Sequence, residues 1–227
     1  MPTSAEKTLA KLATEIHRCE ACPRLVRWTR KVAKDKRAAY INDNYWGKPV
    51  SGFGDPHAKI VVLGLAPGAH GANRTGRVFT GDRSGEWLFA AMHRAGLANQ
   101  PDSISKNDGL TLHDAWVTVA VRCAPPANKP TPAEQRKCRP FLERELTALS
   151  EAKVIVCLGS FALRAISDIL GMKPLPKFGH GAVIEAGKYT LVCSYHPSQQ
   201  NTFTGKLTRK MLDDVFRTAK KLAVRKN

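Results

Sequence analysis

Acid is scarce in this chain of 227 residues. It holds 19 Asp and Glu against 36 Lys and Arg, a formal net charge of +17. Such a surface attracts polyanions: nucleic acid, an anionic membrane surface or acidic protein. Long apolar runs are missing too. No window approaches the ~20 residues that a membrane span needs, which excludes that class. The stretch Met1–Glu20 alternates charged and apolar residues and has no hydrophobic h-region, so it does not read as a secretory signal. A cytoplasmic or nucleoid location is the expectation. There is no repeat at a fixed period and no low-complexity tract, which excludes solenoids and disordered arrays. The hydrophobic fraction of 43% is ordinary for a globular domain, and the length suits a single domain over 1–227.

Hydrophobic periodicity supplies the elements. Helical spacing runs through Ser4–Cys19 and the basic stretch Pro23–Ala39. Lys59–Leu65, Ala115–Val121, Lys153–Leu158 and Thr190–Ser194 are short β-branched apolar runs, typical of strands buried on both faces. Ala182–Glu185 is expected to pair beside them. Helices are predicted over Ser84–Ala95, Pro132–Leu149, Ser160–Leu170 and Lys206–Val224, with Asp82 or Ser84 and Thr131 as N-caps. Strands alternating with helices predict an α/β fold, a three-layer α/β/α sandwich around parallel strands. Ligands of such sheets bind beyond the carboxyl ends of the strands. Three segments fall there: Gly64–Asp82, Arg122–Pro130 and Tyr195–Thr208.

The six cysteines divide by context. Cys157 and Cys193 lie inside apolar strands and read as small buried hydrophobes. Cys19 and Cys22 form C-x2-C at the end of the first helix. Cys123 and Cys138 flank a proline-rich loop. A reducing compartment argues against structural disulfides. Four thiolates in two pairs suit a tetrahedral metal or an iron–sulfur cluster. Spacing alone does not choose between zinc and iron, though the wide second pair is unlike the knuckles of zinc ribbons.

The loop GLAPGAHGANRTGRVFTGD, Gly64 to Asp82, is glycine-rich and follows a strand. It matches neither the P-loop nor the dinucleotide fingerprint, which argues against a nucleotide cradle. Its glycines permit close approach of backbone to a flat ligand. Phe79 is either a stacking ring or a core residue. His196, just past a strand, is either a general acid or electrostatic stabiliser, or a turn histidine capping carbonyls. Gln199, Gln200 and Asn201 have the reach for base edges or phosphates, and Lys206 adds charge.

Taken together, GLAPG-x-x-G-x-N-R-T-G-R-x-F-T-G-D, V-R-C-x-P-P-x-N-K-P-T-P and H-P-S-Q-Q-N-T-F-T-G-K-L-T resemble the motifs of the iron–sulfur uracil-DNA glycosylases, in the family 5 or type b version. The resemblance runs from Cys19 to the last helix. It implies a central four-stranded parallel sheet. It implies an enzyme of base excision repair that flips a deaminated base out of DNA and hydrolyses its N-glycosidic bond, leaving an abasic site. Uracil is the implied base, with hypoxanthine a further one. The implied partner is duplex DNA, single strands being a second form, and the implied state is a monomer.

Residue by residue, the resemblance places a [4Fe–4S] cluster on Cys19, Cys22, Cys123 and Cys138. Phe79 stacks on the flipped base, His196 donates to uracil O2, and Gly64, Leu65 and Ala66 line the pocket. Arg74, Arg77, Gln199, Gln200, Asn201 and Lys206 are the expected DNA contacts. Ala66 stands where other glycosylase families place a water-positioning acid or amide. Asn73 stands where some type b members carry Asp, and is the expected water-orienting residue. Val119 replaces an Asn frequent in this family and is expected to border the base, bringing either broader base tolerance or weaker activity. Two alternatives remain: a catalytically weak damaged-base binder of the same fold, and an unrelated metal-stabilised nucleic-acid-binding module.

Overall fold

A computed structural model describes residues 3–224, so the extreme ends of the expected domain lie outside the described residues. Helix α1 (Ser4–His17) opens on a reciprocal cap: the Thr3 hydroxyl accepts the Glu6 amide, and the Glu6 carboxylate accepts the Thr3 amide. Helix α2 (Pro23–Asp35) follows the cysteine turn with proline at its first position, where no N–H is needed. It stops short of the expected Ala39 because Lys36 adopts φ 56°, outside the helical region.

The sheet has six strands: β1 (Phe53–Gly54), β2 (Ile60–Gly64), β3 (Ala115–Val119), β4 (Val154–Leu158), β5 (Val183–Ala186) and β6 (Tyr189–Ser194), in the order β1-β3-β2-β4-β6-β5. The expected four parallel strands, β3-β2-β4-β6, form its centre. Antiparallel β1 and β5 extend it at the two edges. At two residues, β1 is too short to leave a periodic signal. Its Gly54, at φ 142°, lies so close to the β3 backbone that a Cβ there would meet the Ala115 carbonyl.

The central strands are buried on both faces, which is why their sequences read as continuous apolar runs. Ile60, Val62, Val117, Val156 and Val192 face one layer, and Val61, Leu63, Ile155, Leu191 and Cys193 the other. Each such side chain contributes about 1.5–3 kcal/mol of hydrophobic stabilisation. Helices α4 (Arg83–Arg94) and α8 (Arg209–Ala223) cover the first face. Helices α5 (Pro132–Ala148) and α6 (Ser160–Ile169) cover the second, with α1 packed outside α5. Short helices α3 (Ala72–Thr75) and α7 (Gln199–Phe203) sit in the loops above the carboxyl ends. Helix α8 starts at Arg209 rather than Lys206, because the Thr208 hydroxyl takes the cap.

A buried ion pair secures the end of β3. Arg122 Nη2 donates to Glu145 Oε2 at 2.8 Å, with side-chain exposures of 1% and 2%. Thr118 closes the network: its hydroxyl donates to Glu145 Oε2 and accepts from Arg122 Nη1, both at 2.6 Å. Low surrounding polarity makes such a network costly to break at one partner.

Candidate active site

The four parallel strands deliver their loops to one end of the sheet, and a cluster of side chains assembles there. Gly64 ends β2. A Cβ on it would stand 2.6 Å from Phe79 Cζ and 3.3 Å from Val119 Cγ1. Glycine is therefore required for the Phe79 ring to lie across the strand end, with Val119 of β3 beside it. His196 follows β6 and sits over Gly159, which follows β4. Its ring centroid lies 5.8 Å from that of Phe79.

Phe79 is mostly buried and adopts φ 53°, rare for a large residue. Helix α4 enforces this: a Cβ on Gly85 would collide with the Phe79 carbonyl, so the helix start packs directly on the strained backbone. Strain held in place by the surroundings marks functional positions more often than neutral ones.

His196 keeps a partly accessible edge while protein atoms surround the rest of its ring. Burial lowers its pKa to about 4, so the ring is neutral at physiological pH. One nitrogen of a neutral imidazole is a donor.

The carboxylate nearest this loop belongs to Asp82. Oδ1 accepts the Gly85 amide at 3.0 Å and caps α4, as the sequence suggested. Oδ2 points back at the glycine loop, 2.8 Å from where a Gly68 Cβ would stand, and Gly71 leaves no room for one either. Burial raises the Asp82 pKa; the Gly85 and Ser84 amides and Arg74 pull it down without reversing that direction. A cap residue with a second, inward-facing oxygen serves two purposes, and the cap alone hid this one in the sequence.

Several expected site residues are committed elsewhere. Asn73 is fully buried, and its amide donates to the Thr29 carbonyl at 3.2 Å, clamping α3 to α2. Its Oδ1 is buried and has no hydrogen-bond partner among the described residues. Arg77 is equally unavailable: its guanidinium bonds Asp108, Ser103, Thr80 and the Lys106 carbonyl, with 7% of the side chain exposed. Arg74 pairs with Asp43 at 2.7 Å and bonds the His70 and Gly81 carbonyls. Both arginines build the loop rather than face DNA. Asn201 donates to the His196 carbonyl at 2.9 Å, so it anchors the histidine instead of reaching a base. All three side chains are engaged by neighbouring protein groups. Gln199, Gln200 and Lys206 remain exposed, the last with Nζ 4.9 Å from the Tyr195 ring centre. Leu65 and Ala66 lie at the loop start, where the Leu65 carbonyl accepts the Val121 amide at 3.0 Å.

Ala66 also packs on the cysteine cluster. Cys22, Cys123 and Cys138 are buried together with Leu25 and Val121, and Cys19 is half-buried beside them. All four thiols are free and close enough for their charges to interact. Burial pushes the Cys138 thiol up to about 11 and Cys123 higher still, each helped by its sulfur neighbours. Thiols held so close and so dry call for a cation to offset the thiolate charge. The Arg122 amide donates to Cys138 Sγ at 3.3 Å, so a backbone donor already addresses one sulfur. Among the described residues, no three His, Cys, Asp or Glu side chains close in tightly enough to share a single ion. Cys157 and Cys193 pair across β4 and β6 as buried thiols, away from this group.

The model of the uracil DNA glycosylase superfamily matches residues 51–220. The chain is 52% identical over 220 residues to a type-5 uracil-DNA glycosylase of Mycobacterium tuberculosis, covering 95% of this chain and 82% of that protein. It is 50% identical over 208 residues to a type-5 uracil-DNA glycosylase of Thermus thermophilus, covering 90% of this chain and 94% of the relative. A type-4 uracil-DNA glycosylase of Archaeoglobus fulgidus is more distant, 35% identical over 125 residues, 55% of each chain.

Proposed function

This chain belongs to the uracil-DNA glycosylase superfamily, within its type-5 group, and from that membership we propose how its residues excise uracil from DNA. The reaction is hydrolysis of the N-glycosidic bond, and the products are free base and an abasic site. The single observation that carries the residue assignment is the convergence of Gly64, Phe79, Val119 and His196 beyond the carboxyl ends of β2, β3 and β6.

The target bond is shielded in a duplex, so the nucleotide is extruded, at a cost of a few kcal/mol. A uracil mispaired with guanine costs less to extrude than a paired base. Phe79 stacks on the base and returns about 1–3 kcal/mol. Neutral His196 donates its N–H to O2. As the C1′–N1 bond breaks, its electron pair passes to the base and the sugar becomes oxocarbenium-like. A donor fixed where this negative charge grows lowers the barrier only by binding the anion better than the intact base. Water adds to C1′, and its proton passes to the Asp82 carboxylate, a role that an amide such as Asn73 cannot take. The raised pKa of Asp82 suits a proton acceptor.

Cys19, Cys22, Cys123 and Cys138 would hold a [4Fe–4S] cluster. Its contribution when bound is structural: it ties α1 and α2 to the loop after β3. Two readings follow from the pocket wall. Val119 offers no amide to test the base edge, so hypoxanthine is accepted beside uracil. Gln199, Gln200 and Lys206 contact the DNA backbone without reading sequence. The protein acts as a monomeric single domain on duplex DNA, and on single strands too, since a lone damaged base needs no two-fold partner. No helix among the described residues is long and apolar enough to cross a membrane. A DNA substrate suits a cytoplasmic, nucleoid-bound enzyme.

The test is incubation with an oligonucleotide carrying uracil opposite guanine, followed by alkali. Strand cleavage at the uracil position is expected. Tight binding without cleavage would turn the reading into that of a damaged-base binder.

A further inference from the structure

We propose that His180 is a positioning residue for His196, acting through the Tyr195 backbone as a hydrogen-bond acceptor that works only when unprotonated. The inference rests on the role of His196 given above.

Strand β6 loses its ladder near Ser194. On one side the Gly159 amide donates to the Ser194 carbonyl at 2.8 Å. On the other side the Gly181 amide donates to the Cys193 carbonyl, also at 2.8 Å, and there the backbone pairing with the β5 side ends. The next donor, the Tyr195 amide, finds no strand. It donates instead to His180 Nδ1 at 3.1 Å. A side chain thus adds one rung to the sheet directly before His196. The His180 ring also stacks on the Tyr195 ring, with centroids 5.0 Å apart and 26° between planes. Lys206 approaches the same Tyr195 ring, and Phe178 tilts against it 6.1 Å away. Asn201 holds the His196 carbonyl on the far side. The peptide that presents His196 is therefore gripped at both ends, once by His180 and once by Asn201.

Accepting at Nδ1 fixes the tautomer, because a neutral imidazole has one N–H and it must then be on Nε2. Burial disfavours the charged ring and lowers its pKa, while contact with the Met211 backbone and the Asp214 carboxylate of α8 partly offsets this. The groups facing His180 are Tyr195 with Lys206 over it, and Met211 and Asp214 on α8. The sign is definite. Protonation puts a hydrogen on Nδ1, turns the acceptor into a second donor, and sets two donors against each other at Tyr195. The grip is intact at neutral pH and fails as pH drops below 6.5 toward the lowered folded-state value.

Two substitutions separate this role from simple packing. His180→Asn places an amide oxygen near the Nδ1 position and accepts at any pH. His180→Phe keeps the stacked ring and removes the acceptor. Single-turnover excision from a U·G duplex is measured from pH 5 to pH 9, with DNA affinity alongside. For His180→Phe a roughly tenfold lower excision rate with unchanged DNA affinity is expected. For His180→Asn most of the rate should return at every pH tested. An unchanged rate in His180→Phe, or a His180→Asn rate no higher than that of His180→Phe, overturns the proposal. Nitrogen-15 NMR of labelled, unsubstituted protein gives a readout independent of activity: Nδ1 should be unprotonated and Nε2 protonated at pH 7.5. The reverse tautomer overturns the proposal even where every variant is active. An inactive parent enzyme would instead remove the glycosylase reading while leaving the tautomer result standing.

Discussion

The rings of Phe79 and His196 stand 5.8 Å apart, with 32° between their planes. Stacked rings lie about 4.5 Å or more apart, centre to centre, so inserting a base between these two would require about 9 Å. A base stacked on Phe79 therefore meets His196 at its edge, where the carbonyl oxygens are. In the proposed reaction the two residues divide the work: Phe79 holds the face and His196 polarises the edge.

Replacing His196 by Ala should lower the excision rate about 10²–10³-fold, the cost of removing one donor to a developing oxyanion. DNA affinity should change little. Burial holds this ring neutral down to about pH 4, so its donor should be present throughout the neutral range. Because the folded-state pKa is depressed below 6.5, the unfolded chain takes up the proton first as pH falls. This group then costs stability progressively between 6.5 and about 4. Acid unfolding of His196→Gln should lack that component.

Asp82→Asn separates capping from chemistry. Asparagine caps helices as well as aspartate does, so α4 should stay intact. The proton acceptor is lost, and excision should fall by about 10²–10⁴-fold, the range of a general base. Burial raises the Asp82 pKa, so the folded state disfavours the carboxylate that neutral pH imposes. The Asn variant should therefore melt at or above the parent temperature at pH 7. A large fall in melting temperature with unchanged excision would assign Asp82 to structure alone.

The Arg122–Glu145 pair predicts a contrast between single and double substitution. Glu145→Gln or Arg122→Met alone leaves one buried charge without its partner, costing about 3–5 kcal/mol in denaturant unfolding. Replacing both by apolar residues of similar size should cost far less. The single variants should also disturb the cysteine site, since the Arg122 amide donates to Cys138 Sγ.

The cysteines carry a spectroscopic prediction. Protein purified without oxygen should be brown, with broad visible absorbance and about four irons per chain, the composition of the proposed cluster. Cys138→Ala should bleach it and loosen α1 and α2, read as faster proteolysis near the N-terminus. A colourless protein with one tightly bound zinc would overturn the cluster assignment.

Much of this architecture was legible in the sequence. The four central strands announced themselves because strands buried on both faces carry uninterrupted apolar runs, as in Ile60–Gly64. Thr131 announced a helix start that is present, as a reciprocal cap with Glu134. The edge strand β1 was not legible, because two residues carry no period. Charged residues were misjudged for one reason. Arg74 and Arg77 lie in a basic motif, and a sequence does not say whether a guanidinium points outward to phosphate or inward to Asp43 and Asp108.

The sequence by itself determined the fold class, the four grouped cysteines and the three loops that carry the chemistry. All of these depend on residue type and local spacing. Tertiary structure alone decided which side chains in those loops face the base. It buried Asn73 against α2, turned Asp82 Oδ2 toward the glycines, and set His180 under Tyr195. Each of those outcomes depends on a partner distant in the chain or on a backbone angle fixed by packing, and neither is encoded in a local pattern.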